Sequence, residues 1–173
     1  MEIMVGVLLV LLIWGVALFN MLVRLRNHCR EAWAGIETEL KRRYDLVPNL
    51  VETVKGYARH EASLFERVTE ARTRAIASEG SPGSQASDEN QLVESLKRLL
   101  LVVENYPELK ANRHFLELQK ELSNTEDRIQ AARRFYNANV RDFNTRIEVF
   151  PSNLVAGLFG FKQEEFFEIQ SAV

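Results

Sequence analysis

The chain of 173 residues has a single cysteine, Cys29, which excludes an intramolecular disulfide. Its 22 basic and 24 acidic side chains leave a net charge of −2. That balance lacks the basic excess that a nucleic-acid partner requires, so none is expected. Histidine is scarce and scattered, at His28, His60 and His114. His28 and Cys29 are the one adjoining pair, and helical neighbours point about 100° apart, which suits a shared metal poorly. A helical di-metal carboxylate site would want Glu-x-x-His on two helices. The residues three positions before these histidines are Leu25, Tyr57 and Ala111. H-E-x-x-H, the P-loop, G-x-G-x-x-G and G-x-S-x-G are all missing. No catalytic residue, metal site or cofactor is expected, and an enzyme or metal protein is the remotest reading.

There is one long apolar run. Residues 3–23, IMVGVLLVLLIWGVALFNMLV, carry no charge and one strongly polar side chain, Asn20. At about 1.5 Å per residue the run spans roughly 31 Å, close to the hydrocarbon thickness of a bilayer. A cleaved signal peptide would show a basic leading region and a small-residue cleavage site; Glu2 precedes the run and no such site follows it. An uncleaved anchor is therefore expected. Arg24, Arg26 and Arg30 follow it as a membrane-proximal basic group, with Lys41, Arg42 and Arg43 farther on. By the positive-inside rule the N-terminus lies outside and the C-terminal domain, residues 24–173, in the cytoplasm. Lys41–Arg43 would stand roughly 27–30 Å beyond Val23 on a continuous helix, several Debye lengths from the headgroups. The run contains no GxxxG, so it gives no dimerisation signal.

From Trp33 the apolar spacing alternates between three and four: Trp33, Ile36, Leu40, Val47, Leu50, Val54, Tyr57, Leu64, Val68, Ala71, Ala75. This predicts one long helix packed on other helices. Arg43 and Glu61 occupy core positions of the stripe and are the polar core candidates: either they form structural ion pairs with a later helix, which offers Arg133, Arg134 and Asp142, or they form a polar site for a partner or ligand. Pro48 falls inside the stripe without changing its phase, which predicts a kinked but continuous helix and a freed carbonyl at Tyr44. Arg42, Arg43, Tyr44, Asp45 and Asn49 around that carbonyl form the candidate partner-binding surface.

Residues 78–88, SEGSPGSQASD, predict a flexible linker, with Ser87 or Asp88 as the cap of a following helix marked by Leu92, Leu96, Leu99 and Val103. A further long helix is expected from near Asn112 to Pro151, with Phe115, Leu118, Leu122, Thr125, Ile129, Ala132, Tyr136, Val140, Phe143 and Ile147 as its core stripe. Lys120, Glu121, Glu126, Asp127 and Arg128 are expected on its solvated face. The tail holds five of the ten phenylalanines, among them Phe159, Phe161, Phe166 and Phe167. Either it closes an end of the bundle or it exposes an apolar patch to a partner or a membrane surface.

The fold class that follows is all-α: a transmembrane helix and an up-and-down bundle of three to four helices, the first and third long. The blocks RRYDLVPNLVETVKGYARHE, ENYPELKA and RRFYNANVRDFNTRIEVFPSNLVAGLFGF, in this order, closely resemble the LemA family of bacterial membrane proteins. The resemblance covers nearly all of the chain beyond the anchor; it departs at Glu37–Leu40, where relatives often have Asp-Val-Gln-Leu. It implies a single N-terminal anchor, a compact helical bundle, and an interaction or scaffolding role at the bacterial inner membrane; the family has no established reaction, so the resemblance supplies no catalytic residues. It also implies organelle-like membrane compartments in some relatives, and a membrane metalloprotease or a TPM-domain protein as partner. Three roles are carried forward: a membrane-anchored adaptor or scaffold that binds other membrane or cytoplasmic proteins; a self-assembling, homo-oligomeric protein that shapes the lipid bilayer through its anchor, basic group and phenylalanine tail; and, remotely, an enzyme or metal protein.

Overall fold

The computed structural model describes residues 1–172. These form six helices and no strand: α1 (Glu2–Lys55), α2 (Ala62–Ala77), α3 (Pro82–Val103), the single turn α4 (Pro107–Lys110), α5 (Arg113–Glu148) and α6 (Ser152–Leu158). The all-α class and the two long helices stand as the apolar spacing predicts, but two boundaries differ.

The first long helix does not run on to Ala75. It stops at Lys55, and residues 56–61 turn before α2 begins. Gly56, which disfavours helix by about 1 kcal/mol relative to Ala, stands directly after the last helical residue. Ala58 is fully buried in the turn, whose backbone is tied by the Tyr57 and Ala58 N–H groups donating to the Val54 carbonyl. The apolar phase is the same on both sides, so periodicity alone could not reveal the break.

The expected linker is also shorter. Only residues 78–81 lie outside helices, because Ser81 caps α3 and Pro82 occupies its first turn. Proline at that position has no N–H to leave unpaired and its φ is already helical. Asp88 is therefore inside α3, where its carboxylate accepts from the Ser78 hydroxyl at 2.6 Å.

Pro48 lies within α1, as expected. Its missing N–H leaves the Tyr44 carbonyl without a helical donor, and Arg72 of α2 supplies one, Nε to O at 2.7 Å.

The chain divides into two compact units. One comprises Met1–Ala34 with Phe135–Phe166; the other comprises Gly35–Arg134 with the segment from Phe167 onward. In the first, the start of α1 is a fully exposed apolar helix, long and apolar enough to cross a membrane. Its burial begins only near Leu18, and Leu22 is completely covered. Cys29, Ala32, Tyr136, Val140, Phe143 and Ala156 complete that core. In the second unit the core is built from Ile36, Val47, Leu50 and Val54 of α1, Leu64 and Val68 of α2, Leu92, Leu96 and Leu99 of α3, and Phe115, Leu122 and Ile129 of α5. An extended segment after Phe166 packs on these helices: burial alternates over 167–170, with Phe167 and Ile169 inside and Glu168 and Gln170 outside, and Ala172 is buried farther on.

Candidate functional site: a polar cleft over a buried charge network

Arg43 sits one helical turn from Leu40 and Val47 on the inner stripe of α1, and its side chain has no exposed surface. An isolated buried charge would be too costly, so the fold must bring carboxylates to it. It brings two. Glu126 of α5 accepts from Arg43 Nη1 at 2.9 Å, and Glu89 of α3 pairs with Nη2. The remaining carboxylate oxygens are used as well: Glu89 accepts the Tyr44 hydroxyl proton, and Glu126 Oε2 accepts from the Ala172 backbone N–H at 3.2 Å. The guanidinium of α1 is thus met by α3 and α5, and the C-terminal segment joins the network through Glu126.

The electrostatics follow from this enclosure. Burial alone would lower the pKa of Arg43, but the charges of Glu126 and Glu89 outweigh it, and the pKa is raised. Arg43 is therefore a fixed cation. Burial, followed by the charge of Glu89, raises the phenol of Tyr44 above its ordinary range, so Tyr44 stays a neutral donor.

Arg43 does find its partner on the later long helix, as its core position suggests, but the partner is Glu126 rather than Arg133, Arg134 or Asp142. Glu61 is half-buried at the residue preceding α2, where its carbonyl accepts from Leu64 and Phe65 N–H groups. The helix break at Gly56 takes Glu61 out of the α1 stripe altogether. Glu126, expected on the solvated face of α5, is 1% exposed. Its neighbour Thr125 is 5% exposed at the same level, so the inner face of α5 is polar where Arg43 needs it to be.

Of the remaining candidates at this level, Arg42, Asp45 and Asn49 are exposed and line one side of a cleft of about 450 Å³. Glu121, Asn124, Thr125 and Arg128 of α5 line the other side. Each wall offers one cation and one carboxylate, Arg42 with Asp45 and Arg128 with Glu121. Helical geometry separates the two groups of residues: Arg42, Asp45 and Asn49 recur at three and four on one face, whereas Arg43 points inward. Tyr44 is half-buried and turned toward Glu89. The candidate surface read from the sequence is thus split into an exposed cleft and a buried support. Glu89 and Glu126 of the support, and Glu121, Asn124, Thr125 and Arg128 of the cleft wall, are residues that the sequence did not assign to it.

The other unit carries the membrane-proximal candidates. Arg24 and Arg30 are exposed, while Arg26 is half-buried with its guanidinium carbon 5.0 Å from the centre of the Phe161 ring. The tail is divided: Phe161 is half-buried, Phe159 and Phe166 are 58% and 41% exposed, and Phe167 is completely buried in the second unit. Cys29 is buried, and its thiol is pushed up to about 11, chiefly by that burial and next by the charge of Glu164. It is a packed thiol rather than a nucleophile. Among the described residues no three or more His, Cys, Asp or Glu side chains are grouped to hold a metal ion.

The chain is 27% identical over 181 residues to the magnetosome proteins MamQ 1 and MamQ 2 of Paramagnetospirillum magneticum, covering 89% of this chain and 66% of each relative. It is 29% identical over 137 residues to protein LemA of Metamycoplasma hominis, covering 79% of this chain and 63% of that protein. The chain thus spans slightly less than two thirds of the length of these relatives. The LemA family profile matches residues 32–173, which include the whole charge network and cleft, and the chain belongs to the LemA family.

Proposed function

We propose that this protein is a membrane-anchored, non-enzymatic adaptor that binds other membrane or cytoplasmic proteins through the cleft between α1 and α5. The carrying observation is the cleft itself: charges of both signs, Arg42 and Asp45 on α1 and Glu121 and Arg128 on α5, lining its two walls. Such a pattern gives specificity through complementary charge rather than through apolar area. The network beneath it fixes the helices, since Arg43 joins α1 to α3 and α5. The exposed apolar start of α1 supports residues 3–23 as the anchor. The arginines at 24, 26 and 30 favour a cytoplasmic domain at the bacterial inner membrane, with the N-terminus outside.

The test is gentle detergent extraction of the full chain, followed by affinity capture, sizing and mass spectrometry. A second protein should be recovered in stoichiometric amount from the wild type and lost from the double variant Arg42→Glu/Arg128→Glu, with helicity and melting unchanged. Retention of that protein by the variant would remove the cleft from the proposal. A large particle made of this chain alone would replace the adaptor with self-assembly.

A further inference from the structure

Apart from the apolar run itself, the unit that holds the start of α1 exposes a cluster of large apolar side chains at α6. Leu154 and Leu158, one helical turn apart on α6, are 64% and 80% exposed, and the flanking Phe150 and Phe159 are 77% and 58% exposed. Four large apolar side chains within ten residues is not the scatter expected of a solvated surface. The opposite face of α6 is fastened down. Ser152 and Ala156 are buried, and the Ser152 hydroxyl donates to the Arg146 carbonyl at 2.6 Å. Past its end the chain reverses at Gly160, φ 68°, where the Phe161 N–H returns to the Ala156 carbonyl at 2.9 Å. The outward leucines are therefore held in position rather than left on a loose tail.

The level of this surface is set by aromatic contacts with α1. The Phe19 ring lies 4.7 Å from Phe159 and 5.8 Å from Phe161. Phe19 belongs to the apolar run. If the run enters the bilayer near Ile3, Phe19 is about 24 Å along it, and a hydrocarbon layer of about 30 Å ends several ångströms later. Leu22, still inside that thickness, is completely covered by protein rather than free to meet lipid. The last turn of the run is thus already sheathed, and the apolar outer surface at this depth belongs to α6 and its flanks. Polar groups follow at the next level: Arg24 and Lys162 are exposed, and Arg26 lies over Phe161.

We propose that Phe150, Leu154, Leu158 and Phe159 insert into the lipid leaflet beside the anchor, so that α6 is a second, in-plane membrane contact. The inference rests on residues 3–23 spanning the bilayer. Its partner is the lipid acyl region just beneath the headgroups, matched by apolar side chains below and basic side chains above. Such a foot would fix the rotation of the anchor about its own axis, which a single span cannot do.

Single-cysteine full chains in a Cys29→Ala background test this: Leu158→Cys on α6, Leu11→Cys within the apolar run, and Phe135→Cys. Phe135 is 63% exposed, and its neighbour Tyr136 packs 5.2 Å from Trp33, about 21 Å beyond Phe19 along α1. Each variant is labelled with an environment-sensitive fluorophore and reconstituted into phosphatidylcholine–phosphatidylglycerol vesicles. The labels at 11 and 158 should emit to the blue and be quenched by nitroxide lipids, whereas the label at 135 should be quenched by aqueous iodide. Lipid quenching at 11 with iodide quenching at 158 would overturn the foot and leave the anchor standing. Iodide quenching at both 11 and 158 would overturn the anchor and the foot together. Protection of 158 from both quenchers would assign the surface to a second copy of the chain and overturn the lipid contact.

Discussion

The two units solve the same problem, holding α1 against α5, with opposite materials. The unit containing Met1–Ala34 uses aromatic packing: Trp33 on Tyr136 at 5.2 Å, and the Phe161 ring between Phe143 of α5 at 6.3 Å and Phe19 of α1 at 5.8 Å. The unit containing Gly35–Arg134 places a guanidinium between two carboxylates at its centre. Aromatic faces tolerate small shifts, because each contact contributes little and many geometries are acceptable. A buried charge network accepts one arrangement and is destabilised by loss of any member. The unit that bears the proposed partner cleft is therefore the one with the stricter internal geometry. The unit that bears the proposed lipid contact has the more forgiving core.

The largest break in this contrast should come from Arg43→Met. It leaves Glu89 and Glu126 buried without their counter-charge, a loss of about 3–5 kcal/mol in urea unfolding. Adding Glu89→Gln and Glu126→Gln should recover much of that loss, because neutral amides still hydrogen bond and need no counter-ion. If the single variant lost less than about 1 kcal/mol, the network would be a bystander rather than the organiser of its unit.

Tyr44→Phe removes a donor from Glu89 and should cost about 1.5–3 kcal/mol near neutral pH, as expected for a bond to a charged acceptor. The cost should depend on pH in one direction. The unfolded phenol ionises near pH 10, whereas in the folded protein burial and Glu89 hold its pKa higher. The contribution of Tyr44 is thus full below about pH 10 and is lost as pH rises through the folded value. Unfolding of wild type and variant should converge above about pH 10; a gap that widened there would reverse the assigned sign.

How legible this was depends on which physical signal carried each feature. The length of the apolar run and the stripes of α1 and α5 are written as period and hydrophobicity, and they read directly. Arg43 in a core position announced a buried ion pair. Its partners were hidden for separate reasons. Glu126 sits beside Thr125 at the edge of the α5 stripe, where one position decides between core and surface. Glu89 continues the α3 stripe one turn before Leu92, but the Ser, Gly and Pro residues of 78–88 read as loop. The sequence signal was Pro82 preceded by Ser81, a helix start that composition masked. The break after Lys55 was invisible to periodicity, because the apolar phase resumes unchanged at Leu64; only Gly56 marked it. The cleft required α1 and α5 to be brought side by side in register, which a linear stripe does not specify.

A smaller effect sharpens the comparison, because both units hold the extended tail with the same device. Asn144 of α5 donates to the Glu164 carbonyl and accepts from the Glu164 N–H, both at 2.9 Å. Asn90 of α3 donates to the Glu168 carbonyl at 3.2 Å and accepts from the Gln170 N–H at 2.8 Å. In each case a side-chain amide pairs with the backbone as a neighbouring strand would, so the tail needs no sheet to satisfy its polar groups. The two sites differ in support. Around Asn144 the tail is also held by Tyr136, whose hydroxyl donates to the Glu165 carbonyl at 2.9 Å. Around Asn90 it is held by Arg133, by Gln130 and, through Ala172, by Glu126 of the charge network. Either alanine substitution should cost about 1 kcal/mol, the net worth of ordinary hydrogen bonds near water. Amide hydrogen exchange should separate them. Asn144→Ala should accelerate exchange at Glu164 alone, whereas Asn90→Ala should also loosen Ala172, because the segment joining Gln170 to Ala172 is the tail's link to Glu126. Equal, local responses at both sites would show that the tail is held point by point and that the charge network ends at Glu126.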